Sequence, residues 1–492
     1  MSYTSNSKEI TPEAIVISAD SPIYINVMSQ GPLPLGKLVE IKNSLQDSDS
    51  NQLGMIVEAN SSSQAIGKSR SFQEALESRE IPQINDRDVQ YINKVKIQGK
   101  IGSLKSGIVN HDHFTITPGT VVETPTEQIL EEIFAPTQSS WAHVGKVMHS
   151  NTDLKININA ISRHVALVGK TGSGKSSSLC SILNAVAEKN GTIVLFDVHG
   201  EFKSAKIKNA NYLDGKLNPQ WLGEDSLAAI LGIKANSELQ KAVLTQSLTA
   251  DVKNSVNFLD ALMEEINSHD WDKAHKYPAQ RVTEMINMLL SRQSRLLVTR
   301  GNPFRNLLPN KINIVDLSSL TEKQMDVCIA EYLYKIDFDR RSACGNNPNY
   351  DVQFPSPVIV AIEEAHNFIP IEKDTRSKSH IVKISREARK YGLSLIISTQ
   401  RVRLADNTIV SQVGSIIAHK TTHQDDLHIL NTCTEEMTRE LEDRIPELSS
   451  GEALILGNMV KIPVFAKMDY IKNDFSADFD LVAEWNTNNS KT

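Results

Sequence analysis

The chain has 492 residues, 40% of them apolar and 23% charged, which is long enough for more than one domain and excludes global disorder. Its net charge of −7 excludes a surface uniformly coated in positive charge, so any contact with nucleic acid must use a local basic patch. The polar start MSYTSNSKEITPEA lacks the apolar core of a signal peptide, no apolar run approaches the roughly 20 residues that span a bilayer, and the four cysteines show no C-x-x-C spacing. A cytoplasmic protein with reduced thiols is the expectation.

From Ala14 to about Thr124 the pattern is short and alternating. Ile23–Val27, Lys37–Ile41, Tyr91–Ile97 and Phe114–Thr117 read as half-buried strands. Gly31-Pro32, Gly102-Ser103 and Pro118-Gly119 separate them, and the spacing predicts a small antiparallel barrel. A Ser-rich stretch, Asn60–Glu80, interrupts it. Nothing in residues 1–140 resembles a catalytic constellation, so this domain is expected to serve assembly or docking. A boundary falls near Pro125–Ser150, where a short acidic helix, Glu127–Phe134, meets Pro136 and a polar stretch.

The chemistry begins after the apolar run Val165–Val168. Gly169, Lys170, Thr171, Gly172, Ser173, Gly174, Lys175 and Ser176 fit G-x-x-x-x-G-K-[ST] at every fixed position, with Ser177 following. Glycines let successive backbone N–H groups close around phosphate oxygens, and the loop opens onto a helix N-terminus that favours an anion. Lys175 should reach the β- and γ-phosphates of ATP, and the Ser176 hydroxyl should sit on Mg²⁺. Leu179, Ile182, Leu183 and Val186 form the apolar stripe of that helix, which is expected to close at Gly191. Thr192–Phe196 is a β-branched strand ending on Asp197.

Residues from about 214 to 310 read as a mostly helical insertion, with repeated apolar spacing in Ala228–Leu248 and Val282–Leu297. The core resumes with a strand at Ile312–Leu317, a helix at Thr321–Phe338 and a strand at Pro357–Ile362 that runs into Glu363 and Glu364. A helix through Ser385–Lys390 precedes the buried strand Leu393–Ser398, which leads to Thr399-Gln400-Arg401. Strands at Ser415–His419, Ala453–Leu456 and Val460–Phe465 follow. Alternating strands and helices predict an α/β domain over residues 141–470, a mainly parallel sheet covered on both faces. Residues 471–492 read as a polar tail or arm.

Phosphoryl transfer to water needs charge neutralisation, a positioned water and stabilisation of the transition state. Glu364 is the expected residue polarising the water. Glu363 stands where many such sites place a magnesium-bound aspartate, and the division of labour between the two is open. An exposed acidic helix start is the bland alternative. Gln400 is placed to sense the γ-phosphate. Arg386 and Arg389 share one helix face; one of them is suited to a neighbouring subunit's nucleotide, with ion pairs to Glu387 or nearby acids as the competing reading. His419, His423 and His428, with Asp425 and Asp426, are expected to be solvated loop residues rather than a metal site. Lys373, Arg376, Lys378, Lys383 and Lys390 make a basic run that is either a solvated face or a track for a phosphate backbone.

Taken together, Arg163-His164 before the loop, GKTGSGKS, FDVHGEF from Phe196, IEEAHNFIP from Ile362, SREARKYGLSLIISTQR from Ser385 and SSGEALILG from Ser449 resemble the HerA family of HerA/FtsK-type ring ATPases. The likeness runs from about Trp141 to Asp469. It implies a RecA-like P-loop core, an amino-terminal barrel of the HAS type, and a homohexamer that uses ATP and Mg²⁺ to move double-stranded DNA. Lys175 and Ser176 would bind nucleotide and metal, Asp197 and Glu364 would serve hydrolysis, and Gln400 would be the sensor. Arg163 and Arg389 or Arg386 would lie near phosphate. The resemblance also implies a partner, a NurA-type nuclease or a sirtuin-like or other effector, in DNA end processing or defence against phage. Two other classes compete: an ATP-gated ring scaffold that activates a partner enzyme, and a small-molecule kinase.

Overall fold

The computed structural model describes residues 12–43, 47–63, 89–110, 114–234, 236–291, 295–345, 350–434 and 436–471. The expected tail at 471–492 and most of the Ser-rich stretch therefore lie outside the described residues. By its contacts the chain divides into two compact units. One holds the residues up to Ile158 together with Ser415–Asp469, and the other holds Asn159–Gly414.

The first unit begins with a closed six-stranded barrel. Its strands are β1 (Ala14–Ala19), β2 (Tyr24–Ser29), β3 (Leu38–Ile41), β4 (Gln52–Ser63), β5 (Val89–Lys100) and β6 (Val121–Glu123), in the order β1-β2-β5-β4-β3-β6. Alternation turns one side of each strand inward, and Val16, Ile25, Val27, Ile41, Val95 and Ile97 fill the interior. The barrel closes through β6 and not through Phe114–Thr117, which is not a strand. That segment has only two apolar residues, Phe114 is 83% exposed, and Val122 finds partners on both β1 and β3. Gly102, read as a turn, lies in the short helix Ile101–Lys105. The polar stretch before Ser150 contains β7 (Trp141–Val147), which forms a hairpin with β8 (Asp153–Asn157) beyond it, and the alternation of both is too polar to announce itself.

The second unit carries six parallel strands: β9 (Val165–Val168), β10 (Thr192–Asp197), β11 (Ala210–Asp214), β12 (Ile312–Asp316), β13 (Val358–Ile362) and β14 (Leu393–Thr399), ordered β11-β12-β10-β13-β14-β9. Strands β9, β10, β13 and β14 are almost wholly buried, as continuous apolar runs in a sheet covered on both faces should be. The helix Lys175–Ala187 carries the chain from β9 to β10, and β14 and β13 lie between these two strands. The carboxyl ends of β9, β14, β13 and β10 are thereby set side by side, the crevice where α/β sheets hold ligands.

That helix ends at Ala187, and its left-handed residue is Asn190 (φ 54°), with Gly191 serving another purpose. A Cβ on Gly191 would sit 2.4 Å from Val186 Cγ1, so glycine is needed there for close approach. Between β11 and β12 lie five helices, Glu224–Leu231, Glu238–Ser247, Ala250–Asn254, Phe258–Ser268 and Lys276–Ser291, packed on a core of their own that includes Leu227, Val243, Leu244, Leu262, Val282 and Ile286. The helix expected at Thr321–Phe338 spans Glu322–Cys344, opened by a reciprocal cap between Thr321 and Gln324. It packs against the helix Arg376–Glu387, which gives way to a tight turn at Ala388–Tyr391.

In the first unit, β15 (Ser415–His419), β16 (Glu452–Gly457) and β17 (Val464–Met468) run antiparallel, and β17 pairs with β7. The fold is a RecA-like α/β core with an amino-terminal barrel. No helix among the described residues is long and apolar enough to cross a membrane.

Candidate active site

The phosphate loop leaves β9 with its backbone tied to the next strand, Gly169 N–H donating to Thr399 C=O at 3.3 Å. Gly172 and Gly174 sit at φ 73° and 106°, angles that side chains rarely adopt, and they let the loop turn back on itself before the helix starts at Lys175. Lys170 and Thr171 face solvent, whereas Ser173, Lys175 and Ser177 are buried. Burial pushes the Lys175 ammonium below its ordinary pKa, while the carboxylates of Glu364, Glu363 and Glu201 pull it back up. Those three acids therefore converge on the loop lysine.

Each acid is held differently. Asp197, at the end of β10, has no exposed surface. Its Oδ1 accepts from the N–H groups of Gly200 (2.8 Å) and Glu201 (3.2 Å), and its Oδ2 accepts from Phe202 N–H (3.0 Å). Both oxygens are thus occupied in shaping the turn that presents Glu201. Glu201 is the residue that sequence reasoning left out of the site, although it lies within the quoted FDVHGEF. Ser176 Oγ donates to its Oε2 at 3.4 Å. The missed signal was its place four residues after a strand-end aspartate, in a turn closed by Gly200 at φ 74°.

Glu363 and Glu364 follow β13 and are 5% and 6% exposed, which rejects the exposed helix start. Glu363 Oε2 accepts from Val198 N–H at 3.2 Å. Burial, then Asp197, Glu201 and Glu364, hold its carboxyl well above the usual carboxylate range. Glu364 occupies the left-handed region (φ 45°, ψ 44°), a costly conformation for a non-glycine residue and one concentrated at active sites. Gln400 Nε2 donates to its Oε1 at 2.6 Å, and Thr171 Oγ1 donates to Gln400 Oε1 at 2.6 Å.

The arginines are elsewhere in the unit. Arg163 precedes β9, and Arg386 and Arg389 precede β14, whereas the phosphate loop and Gln400 follow the same strands. A strand advances about 3.3 Å per residue, so β9 with four residues and β14 with seven put roughly 13–23 Å between these arginines and the loop of their own chain. All three are exposed. Arg386 and Arg389 take no ion pair among the described residues, and Glu387 instead meets Arg341 at 3.5 Å. His164 sits between these ends. Its Nδ1 accepts from Leu395 N–H (3.0 Å), so Nε2 carries the proton and donates to Ser385 C=O (3.1 Å).

The magnesium expectation fits the donor set. Ser176 offers a hydroxyl that donates to Glu201, whose charge also acts on Glu363, and this accumulation of acid around Lys175 is what a divalent cation would offset. No group of three or more His, Cys, Asp or Glu side chains among the described residues could hold a metal unaided. Against the expectation of solvated loop residues, His419 is buried at the end of the strand Ser415–His419, its Nδ1 donating to Glu452 C=O at 2.8 Å, and Asp426 is buried on the helix Gln424–Cys433, which His423 caps. Most of the basic run is neutralised: Lys373 meets Glu322, Lys378 meets Asp406 and Lys383 meets Asp337.

Residues 142–336 match the family described as the central domain of helicase HerA. The DNA double-strand break repair helicase HerA of Sulfolobus acidocaldarius is 30% identical over 384 residues, 75% of this chain and 76% of that one. The protein of the same name from Sulfurisphaera tokodaii is 28% identical over 460 residues, 90% of each. Among solved structures, VirB4 of Thermoanaerobacter pseudethanolicus is similar at 13% identity and a TM-score of 0.48, over 68% of this chain and 97% of that one. The chain is an ATP-hydrolysing enzyme and belongs to the HerA family.

Proposed function

We propose that this enzyme works as a ring, hexameric by family resemblance, that couples ATP hydrolysis to movement along double-stranded DNA on behalf of a cytoplasmic nuclease or other effector. The observation that carries the ring is the separation of Arg163, Arg386 and Arg389 from their own phosphate loop. An arginine at the opposite end of the sheet reaches a γ-phosphate only when that phosphate belongs to another copy.

In this reading the loop amides and Lys175 bind the triphosphate, and Glu364 orients a water against the γ-phosphorus. As the new P–O bond forms, the water proton passes to Glu364, and the bond to the bridging oxygen breaks to leave ADP and phosphate. Gln400 reports the γ-phosphate, and an arginine of the next copy stabilises the charge developing on the transferred group. Mg²⁺, held by Ser176 with Glu201 or Glu363, supplies neutralisation of the phosphate oxygens.

The test is steady-state ATPase with and without duplex DNA, together with native mass with and without ATP. Stimulation by DNA and an ATP-dependent multimer are expected, both lost in Lys175→Ala. Equal turnover with and without DNA, alone and with effector candidates such as a NurA-type nuclease or a sirtuin-like enzyme encoded beside it, removes the translocase.

The neutralised basic run favours a second reading, an ATP-gated scaffold that assembles and switches on an effector, in the setting of phage defence or DNA end processing. A Glu364→Gln protein that assembles and still activates the effector supports the scaffold. One that assembles with a dead effector makes turnover necessary.

A further inference from the structure

The phosphate loop touches the hydrolytic carboxylate through one intermediary, and the direction of each hydrogen bond on the way is fixed by chemistry. A carboxylate only accepts, so the amide nitrogen of Gln400 must face Glu364 Oε1. That leaves the amide oxygen to face Thr171, whose hydroxyl supplies the proton. The relay runs inward from Thr171, which is exposed, through half-buried Gln400 to Glu364, which is buried.

With Oε1 engaged, Glu364 Oε2 is buried and accepts no hydrogen bond. His366 Nδ1 lies 3.3 Å from it but bonds to Thr399 Oγ1 at 3.0 Å. One oxygen is thus anchored and the other is kept open, on a residue whose left-handed backbone already restricts where the carboxylate can point.

We propose that Thr171 is a positioning residue whose hydroxyl sets the orientation of the Gln400 amide and thereby reserves Glu364 Oε2 for the proton of the attacking water. The proposal rests on Glu364 as the water-activating residue. Without the hydroxyl, the amide is free to turn over and present its oxygen to the carboxylate, which repels it and displaces Glu364. The phosphate-binding backbone of the loop is unaffected, because the bond that is lost belongs to a side chain.

The experiment is ATP hydrolysis by the full chain in its native assembly, comparing Thr171→Val, Thr171→Ala and Thr171→Ser. A positioned general base contributes about 10²–10⁴-fold, and losing its alignment while keeping the group should cost about tenfold in kcat. KM should stay within about twofold in both variants that lack the hydroxyl, and Thr171→Ser should recover at least about half of the lost rate. In a Glu364→Gln background, Thr171→Val should cost nothing further, because the group it positions is gone. An equal fall in the valine and serine variants, a loss confined to KM, or an additive loss in the double variant overturns the proposal. Should Glu364→Gln itself hydrolyse ATP at the wild-type rate, the parent reading fails, an outcome that the Thr171 series does not mimic.

Discussion

Glu363 is a residue whose replacement should make the resting protein more stable. Its carboxyl is buried and held above the usual range by burial and by Asp197, Glu201 and Glu364. The sign follows from linkage. A folded-state pKa raised above the unfolded value of about 4.3 gives a contribution that is favourable below that value and is lost as pH rises through the folded pKa. The penalty on the nucleotide-free, metal-free protein therefore grows as pH rises above that unfolded value. Glu363→Gln removes the charge and keeps an oxygen to accept from Val198 N–H. Relief of such a functional-site penalty is worth about 0.5–2 kcal/mol. In a unit of about 250 residues this corresponds to a rise in Tm of about 1–4 °C. Thermal denaturation followed by circular dichroism at about pH 8 and about pH 5.5 reads the effect, with the gap between variant and wild type narrower at the lower pH, nearer the unfolded value. No gain at the higher pH, or an equal gain at both, would show that the acids around Ser176 are not in electrostatic conflict, and the argument for a cation there would fall with it.

Glu201→Gln should raise the Mg²⁺ concentration needed for nucleotide binding several-fold, read by calorimetric titration at stepped Mg²⁺; an unchanged requirement returns the metal to Glu363 alone. Arg389→Ala or Arg386→Ala should lower kcat by about 10³-fold while nucleotide affinity is retained. Mixing the deficient arginine variant with Glu364→Gln, which keeps the loop lysine needed for assembly, should restore activity, since the first brings an intact loop and Glu364 and the second an intact arginine; no recovery on mixing argues against action between copies. His164→Ala strands Leu395 N–H and Ser385 C=O, at about 1–3 kcal/mol for each buried group, measured by denaturant unfolding. Because burial holds the pKa of His164 below its ordinary value, the unfolded chain binds the proton first, so wild-type stability should decline as pH falls below about 6.5 and the alanine variant should lack that share of the decline.

Sequence patterns exposed the parts of the fold where one physical demand dominates. The buried strands β9, β10, β13 and β14 are continuous apolar runs because both faces are covered, and the loop octet is fixed by backbone angles and phosphate charge together. The hairpin β7–β8 and the strand β11 were missed because partly exposed strands with lysine, histidine and asparagine carry a weak alternation. Asn190 was missed as the left-handed residue because Gly191 follows it, and a glycine needed for close approach looks the same in sequence as one needed for its φ. Glu201 is a more instructive case. A carboxylate becomes part of the site only when a turn places it there, and that turn is written in three backbone amides bound to Asp197, which no side-chain pattern displays.

If the proposed ring forms, the charge around the loop would make hydrolysis and assembly inseparable. Lys175 faces Glu201, Glu363 and Glu364, and burial already works against its charge. A triphosphate entering that crevice adds further negative charge at low dielectric, where unpaired charge is most costly. In the proposed mechanism Mg²⁺ held at Ser176 would offset part of it, but the charge developing on the γ-phosphoryl group would arise on the side away from the loop, towards Glu364. The arginines that could answer it stand at the far ends of β9 and β14, exposed, with Arg386 and Arg389 lacking an ion pair among the described residues. In the proposed ring, a single chain can bind nucleotide yet leaves the transition state undercompensated until a neighbour closes the crevice, so each subunit's turnover depends on the position of the next.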